Sequence, residues 1–536
     1  MKTSNVIFLI IIIVFLVYAS LYIYRTSFII DGQRYYSLMD DAMIQMRYAK
    51  NLANGYGLVW NPGGDRVDGY TNPLWVLYMT LFHLLPISAS KICLYIQISA
   101  AIILVLNLVM VRNVALKISE NSHAVALSSV ALTALYFPLN KWSLQGMEVS
   151  VLVLVISFSA WLAFHSIKSG KFSFWLYFIL GFSTLDRIDM VVPYLAFFFF
   201  FLLVDPKNRK QHLIIGLVPL IFFLSIQTIF RYWYTGDILP NTYYVKMTGY
   251  PIFLRITRGL WVYIFRFVWN MNWVLFLFPF VMLLFQRTKF LVLLCGVFSA
   301  QSLYSIYVGG DAWEGHGGSN RFVSIVMPLY FILFSWGLFH VFRNILTQSL
   351  KPVARYIPYF LAFILVISVI NFNAVNGFKS FLDWTLINPP PQIMGFKKEI
   401  KKALVIDDIT KDQATIAVVK AGIVPYFSNR YSIDLLGKND KKIALENMRV
   451  KSGIHKYTAF YPGHLKWDYG YSIGQLKPDI VVELWECPQE AKPYLEKDYE
   501  EVLVQGFHLY LYKASTNILW DKLGTEKETG LQKEFQ

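Results

Sequence analysis

Two adjacent carboxylates, Asp40 and Asp41, stand just beyond an apolar run of bilayer length. They lie in the polar, aromatic stretch 35–75, YYSLMDDAMIQMRYAKNLANGYGLVWNPGGDRVDGYTNPLW, with hydrophobic chain on both sides. An ionisable pair in that position is costly unless it lines a wet cavity, so it marks a functional site by default. If 39–54 is a helix stopped by the glycine after Asn54, neighbouring side chains point about 100° apart. One carboxylate can then face a cavity while the other takes a hydrogen bond or ion pair, for instance from Arg47 or Arg66. A desolvated Asp has a raised pKa and can accept the proton of a hydroxyl nucleophile. The competing reading is a helix cap, since Asp is favoured at the N-cap and a second acid suits the helix dipole.

Further polar groups recur along the chain. NPGGDRVDGYTNPLW (61–75) is a rigid turn whose Asp65 and Asp68 are either ligands for substrate hydroxyls or solvated loop acids. GGDAWEGHGGSNRF (309–322) brings Asp311, Glu314, His316 and Arg321 within eleven positions. Arg321, at the start of an apolar run, either meets a phosphate with its planar fork or snorkels to the headgroups. Lys246 in LPNTYYVK and Arg187 in LDRID are two more cationic candidates. His464 and Lys466 follow a Pro-Gly turn in FYPGHLKWD and suit an anionic or sugar group, or simply the turn itself. Asp311, Glu314 and His316 could hold a metal, but no H-x-x-x-H or CxxC spacing accompanies them; a divalent cation is conceivable and not indicated. There is no G-x-S-x-G elbow, Walker loop or dinucleotide fingerprint, so hydrolase and nucleotide-driven chemistry recede.

These groups need a membrane scaffold to position them. The 536 residues are 56% hydrophobic and only 15% charged, and several runs reach the roughly 20 residues needed to cross a bilayer. The first, at 6–24, is longer than a signal-peptide core of about 7–15 residues and lacks a small-residue cleavage site, so an uncleaved span is expected. Spans are predicted near 6–24, 91–111, 123–139, 147–166, 173–185, 188–204, 212–232, 260–285, 290–308, 321–343 and 356–375. The short loops rich in Lys and Arg go to the cytoplasm under the positive-inside rule, which about eleven spans satisfy. The run at 73–87 is short for a span and is expected to be an interfacial or re-entrant helix in the first external loop. On this topology the 31–90 loop, the turns near 139–148 and 185–189, and the 234–250 and 309–321 segments share the external face. The net charge of +15 is dispersed among short loops without a nucleic-acid motif, so anionic lipid, not nucleic acid, is the expected partner. The three cysteines suggest no disulfide framework.

Beyond about residue 376 the character changes. Short apolar patches, KALVID, ATIAVV, DIVVELW and HLYLYK, alternate with polar segments, and most of the acids lie here. An α/β domain of 376–536 is predicted outside the cytoplasm, following a 1–375 transmembrane domain, with NPPPQ (388–392) as a stiff linker.

The order of these features resembles the C-type glycosyltransferases, polytopic enzymes that take a sugar from a polyprenyl-phosphate donor and carry an acidic pair in the first external loop. DDAMIQMRYAKNLANGYGLVWNPGGDRVDGYTNPLW most resembles the mycobacterial terminal arabinofuranosyltransferase group, with its DDa-x-I-x-x-RYa and G-Y-T-x-P-LW segments. YVGGD with Arg321 and Pro328 is similar to that group's GGD-x-R-x-x-P stretch, although the spacer before the Arg is longer here. IDLLGKND and PGHLK are similar to motifs of its extracytoplasmic domain. The resemblance implies a multi-pass protein of a bacterial inner membrane, with the C-type glycosyltransferase fold and Asp40 as general base assisted by Asp41. It implies Arg321, Lys246 and Arg187 as candidates for the donor phosphate, and a glycan or glycolipid acceptor in a bed of membrane lipids. A transporter or flippase of lipid-linked sugars is the rival reading, but it calls for repeated halves and broken helices at mid-membrane depth, and neither is visible in the sequence.

Overall fold

The computed structural model describes residues 3–311, 314, 320–346, 356–373, 378–388, 392–449 and 460–523. The chain divides into two compact units. The first comprises Met1–Arg25, Ile96–Gln227 and Ile252–Pro390; the second comprises Thr26–Tyr95, Thr228–Pro251 and Pro391–Gln536.

Apolar helices build the first unit. Along the chain, five helices have the length and composition to cross a membrane: Thr3–Arg25, Ile92–Ile118, Val149–Ser169, Pro206–Thr235 and Lys289–Tyr307. Four shorter apolar helices, Phe174–Leu185, Ile188–Val204, Met327–Arg343 and Tyr359–Asn373, coincide with predicted spans. This is a multi-pass membrane protein. Two predicted spans are broken. The run at 123–139 bends by 51° between His123–Ala134 and Phe137–Leu144, where Pro138 enters the first turn of the second helix. The run at 260–285 bends by 97° between Ile252–Val268 and Trp273–Phe285. Asn272 turns left-handed there (φ 59°), and its side chain accepts the Val274 N–H at 3.1 Å, starting a new helix. The stretch at 73–87 forms only the short helix Pro73–His83, of 11 residues.

The second unit is assembled from three distant segments. A hairpin of β1 (Phe28–Ile30) and β2 (Gln33–Tyr35) turns at Asp31 and Gly32, both with positive φ. The helix Asp40–Ala53 follows. The C-terminal segment carries β3 (Thr415–Val418), β4 (Tyr431–Asp434), β5 (Ile480–Val481), β6 (Tyr499–Val504) and β7 (Phe507–Tyr512) in the order β4-β3-β5-β7-β6. β3 pairs parallel with β4 and β5, and β7 pairs antiparallel with β5 and β6. The sheet buries Ala417, Ile433, Val481 and Tyr510 against Trp467, Ile473 and Leu495. Three of the four apolar patches are thus strands. KALVID is not: it belongs to the helix Gln392–Ile409, within which Ala403 and Ile406 are buried.

Candidate functional site

The acid pair sits in the second unit. The helix Asp40–Ala53 begins with Met39 at its N-cap, which makes no side-chain cap, so Asp40 and Asp41 are its first two helical residues. The cap reading therefore fails at Asp40. Its carboxylate turns instead to another segment: Oδ1 accepts the N–H groups of Gly422 at 3.2 Å and Ile423 at 2.9 Å. Asp41 Oδ1 accepts from Lys438 Nζ at 2.9 Å. The two carboxylates are therefore unlike. Burial pushes Asp40 up to about 6, although the Lys438 charge and the Ile423 N–H both oppose the rise. Burial works against a charged Lys438, yet Asp41 and Asp40 together raise its pKa above the ordinary lysine value.

Lys438 is held in place by the loop after β4. Asp434 accepts from the Leu436 N–H at 3.0 Å, the Asn439 N–H at 2.8 Å and Asn439 Nδ2 at 3.0 Å, while Gly437 takes φ 77°. Asn439 Oδ1 in turn lies 3.0 Å from the Tyr48 hydroxyl on the acid-bearing helix. A Cβ on Gly69 would stand 2.0 Å from that Asn439 oxygen, so only glycine lets the two loops approach this closely. Arg47 does not pair with the acids. It is buried and donates to the carbonyls of Trp60, Pro425 and Arg430 and to Asn61 Oδ1, fastening the helix to its surroundings. Arg66 lies over the Tyr234 ring, 4.7 Å from its centroid.

His464 joins this cluster. Burial and the nearby Lys438 charge push it down to about 3, with Asp41 opposing and Lys246 assisting. The ring is therefore neutral at physiological pH. Nδ1 lies 3.1 Å from the Pro462 carbonyl, an acceptor only, so Nδ1 carries the proton and Nε2 is left as an acceptor. Lys246, on the short helix Asn241–Met247, packs its stem against Gly463, whose Cβ would lie 3.3 Å from Lys246 Cγ. Thus Asp40, Asp41, Lys246 and His464, all named from sequence, come together around Lys438.

Other named residues take different places. Asp65 is exposed. Asp68 is buried; its Oδ2 accepts from Arg231 Nε at 2.6 Å, and its Oδ1 has no hydrogen-bond partner among the described residues. Burial raises Asp68 to about 6 despite Arg231. Lys466 is buried and donates to the carbonyls of Tyr244 and Ala444 and to Thr248 Oγ1, which makes it a fastener of the 241–248 segment.

In the first unit, Arg187 is buried between Asp189, which it meets with Nε at 2.6 Å and Nη2 at 2.8 Å, and Glu148, 3.0 Å from Nη1. Arg321 Nε lies 3.4 Å from Asp311 Oδ2, and the same oxygen accepts the Arg321 backbone N–H at 3.2 Å. Glu314 accepts from Asn320 Nδ2 at 2.5 Å, and burial with the neighbouring Asp311 pushes it up to about 8. His316 lies outside the described residues. Among the described residues no three of His, Cys, Asp and Glu gather into a metal-holding group.

Sequence reasoning missed Lys438 and Gly422. Lys438 had a signal, since it lies in the GKND stretch; nothing in the sequence distinguishes Gly422.

The fold has relatives among solved structures. ArnT from Cupriavidus metallidurans, bound to undecaprenyl phosphate, superposes with a TM-score of 0.57 at 10% identity, over 96% of this chain and 99% of that one. The oligosaccharyltransferase of Archaeoglobus fulgidus, in a complex with zinc and sulfate, gives 0.56 at 11% identity, over 94% of this chain and 73% of that one. The same organism's AglB, in complex with an inhibitory peptide and a dolichol-phosphate, gives 0.55 at 10% identity, over 96% and 75%. The fold is that of the C-type glycosyltransferases. Residues 392–520 match the family model of a domain of unknown function (DUF8728). Compared by sequence with curated proteins, the chain finds no match.

Proposed function

We propose that the chain is an inverting glycosyltransferase that moves a sugar from a polyprenyl-phosphate donor to a hydroxyl of a cell-envelope glycan or glycolipid on the external membrane face. The observation that carries this reading is the asymmetry of the acid pair. Asp41 forms an ion pair with Lys438, whereas the hydrogen bonds to Asp40 among the described residues come from backbone N–H groups and its pKa is raised to about 6. A carboxylate of that basicity is still ionised at neutral pH and is a better proton acceptor than an ordinary Asp.

In the proposed step, Asp40 takes the acceptor hydroxyl proton as the acceptor oxygen bonds to the anomeric carbon. The bond from that carbon to the phosphate oxygen breaks, its electron pair leaves with polyprenyl phosphate, and the anomeric configuration inverts. Cations stabilise the developing phosphate charge. Arg321 is proposed as the planar fork and Lys246 as a second cation. Arg187 is not carried forward, because its charge is already matched by the two carboxylates of Asp189 and Glu148. His464, with a neutral ring, is proposed to accept a hydrogen bond from a substrate hydroxyl through Nε2. The carrier lipid is inferred from the undecaprenyl phosphate of ArnT and the dolichol-phosphate of AglB. A pentofuranose of arabinofuranose type is the proposed sugar, on the strength of the 40–75 resemblance. The 376–536 segment is proposed to lie outside the cytoplasm.

Purified protein, given radiolabelled polyprenyl-phosphate sugar and glycan acceptor, should transfer label with inverted configuration. A flippase would move the intact lipid across a vesicle membrane and leave the sugar–phosphate bond unbroken, and that outcome would reject the proposal.

A further inference from the structure

The second unit contains a contact to Asp40 that is peculiar to one glycine. Gly422, at the N-cap of the helix Ile423–Ser428, lies directly against the first residue of the acid-bearing helix. A Cβ built on Gly422 would stand 2.1 Å from the Asp40 carbonyl oxygen and 2.9 Å from Asp40 Oδ1. Both atoms are tied down: one is main chain, and the other already accepts the N–H groups of Gly422 and Ile423. Gly422 has φ −102°, so backbone conformation does not demand glycine here; the approach of Asp40 does.

We infer that Gly422 is a positioning residue for Asp40: its missing side chain lets the 422–423 amides grip Oδ1 and so reserve Oδ2 for the acceptor hydroxyl. This rests on the reading of Asp40 as base. The physical argument has two parts. A carboxylate held by two N–H groups at one oxygen has lost rotation about its terminal torsion, which fixes the direction of its other oxygen. The same N–H groups favour the charged form, and so limit the rise in basicity that burial imposes. The C-terminal segment would then contribute to catalysis through the orientation and basicity of a residue it does not itself carry.

The test uses the full-length protein in detergent or nanodiscs. Gly422→Ala should lower kcat on the order of 10²-fold, the cost of misplacing a reacting group by about an ångström, with the KM for donor little changed. The acid limb of its kcat/KM profile should move to higher pH, because the amides that favour the carboxylate are displaced. Should Gly422→Ala fail to fold, replacement of Ile423 by its α-hydroxy analogue deletes that N–H and keeps the side chain. The ester variant should also shift the acid limb upward. A wild-type kcat and acid limb in either variant, with Asp40→Asn inactive, would overturn the positioning role alone. Full turnover in Asp40→Asn would instead overturn the base assignment on which it rests.

Discussion

Each of the two units holds a cluster of acids and bases, and the clusters differ in how their charges are spent. In the first unit Arg187 is paired with both Glu148 and Asp189, and Arg321 is drawn to Asp311 through both side chain and backbone. In the second unit Lys438 pairs with Asp41, while Asp40 next to it accepts, among the described residues, two backbone N–H groups. A buried cation matched to its carboxylates is a fixed part of the structure, because separating the pair strands a charge. A carboxylate with raised basicity that makes no direct ion pair among the described residues is one that can change protonation during a reaction. The sequence pointed to Asp40 as base and offered Arg187 as a candidate for the donor phosphate; their partners set the two apart.

The sharpest way to break this contrast is Asp40→Asn, which keeps the shape and removes the base. Transfer should fall by about 10²–10⁴-fold, the usual cost of losing a general base, while Asp41→Asn should lose clearly less. If Asp41→Asn is the inactive one, the base moves by one residue. Next comes Arg187→Ala, which strands Glu148 and Asp189. Unfolding of the purified protein in detergent should show a loss of about 3–5 kcal/mol, as expected when one partner of a buried pair is deleted. A fully stable variant that has lost only donor affinity would return Arg187 to the phosphate. Smaller still is Arg321→Lys, which keeps the charge but not the fork. Turnover at sub-saturating donor should fall by about ten- to a hundred-fold, the scale of one charge-assisted hydrogen bond of about 1.5–3 kcal/mol. Equal turnover would assign the phosphate to Lys246.

Much of this was legible from the chain. Long apolar runs can only be helices in a bilayer, so the scaffold follows from hydropathy. The acid pair stood out because carboxylates beside a membrane boundary need a reason. Local breaks were harder to see: the 260–285 run is mostly apolar, with only Arg266, Asn270 and Asn272 polar, and the left-handed Asn272 with its capping side chain marks where it splits. Partners were not legible at all. Asp41 and Lys438 are 397 positions apart and Asp40 and Ile423 are 383 apart, and no local pattern encodes such pairings. For the same reason Arg47 and Arg66 looked like natural partners for the acids. Arg47, seven positions from Asp40, lies buried on the same helix and is spent on carbonyls of distant loops.

The pH dependence of kcat/KM for sugar transfer addresses the assignment of Asp40 most directly, because that ratio reports the ionisation of the free enzyme. Asp40 must be ionised to accept a proton, so activity should fall as pH drops through its pKa, with a midpoint near pH 6. Lys438 opposes the effect of burial on Asp40, so Lys438→Met should raise the Asp40 pKa and carry the acid limb to higher pH. A wild-type profile flat from about pH 4.5 to 7, or a limb that stays in place in Lys438→Met, would contradict the assignment of Asp40 as the base.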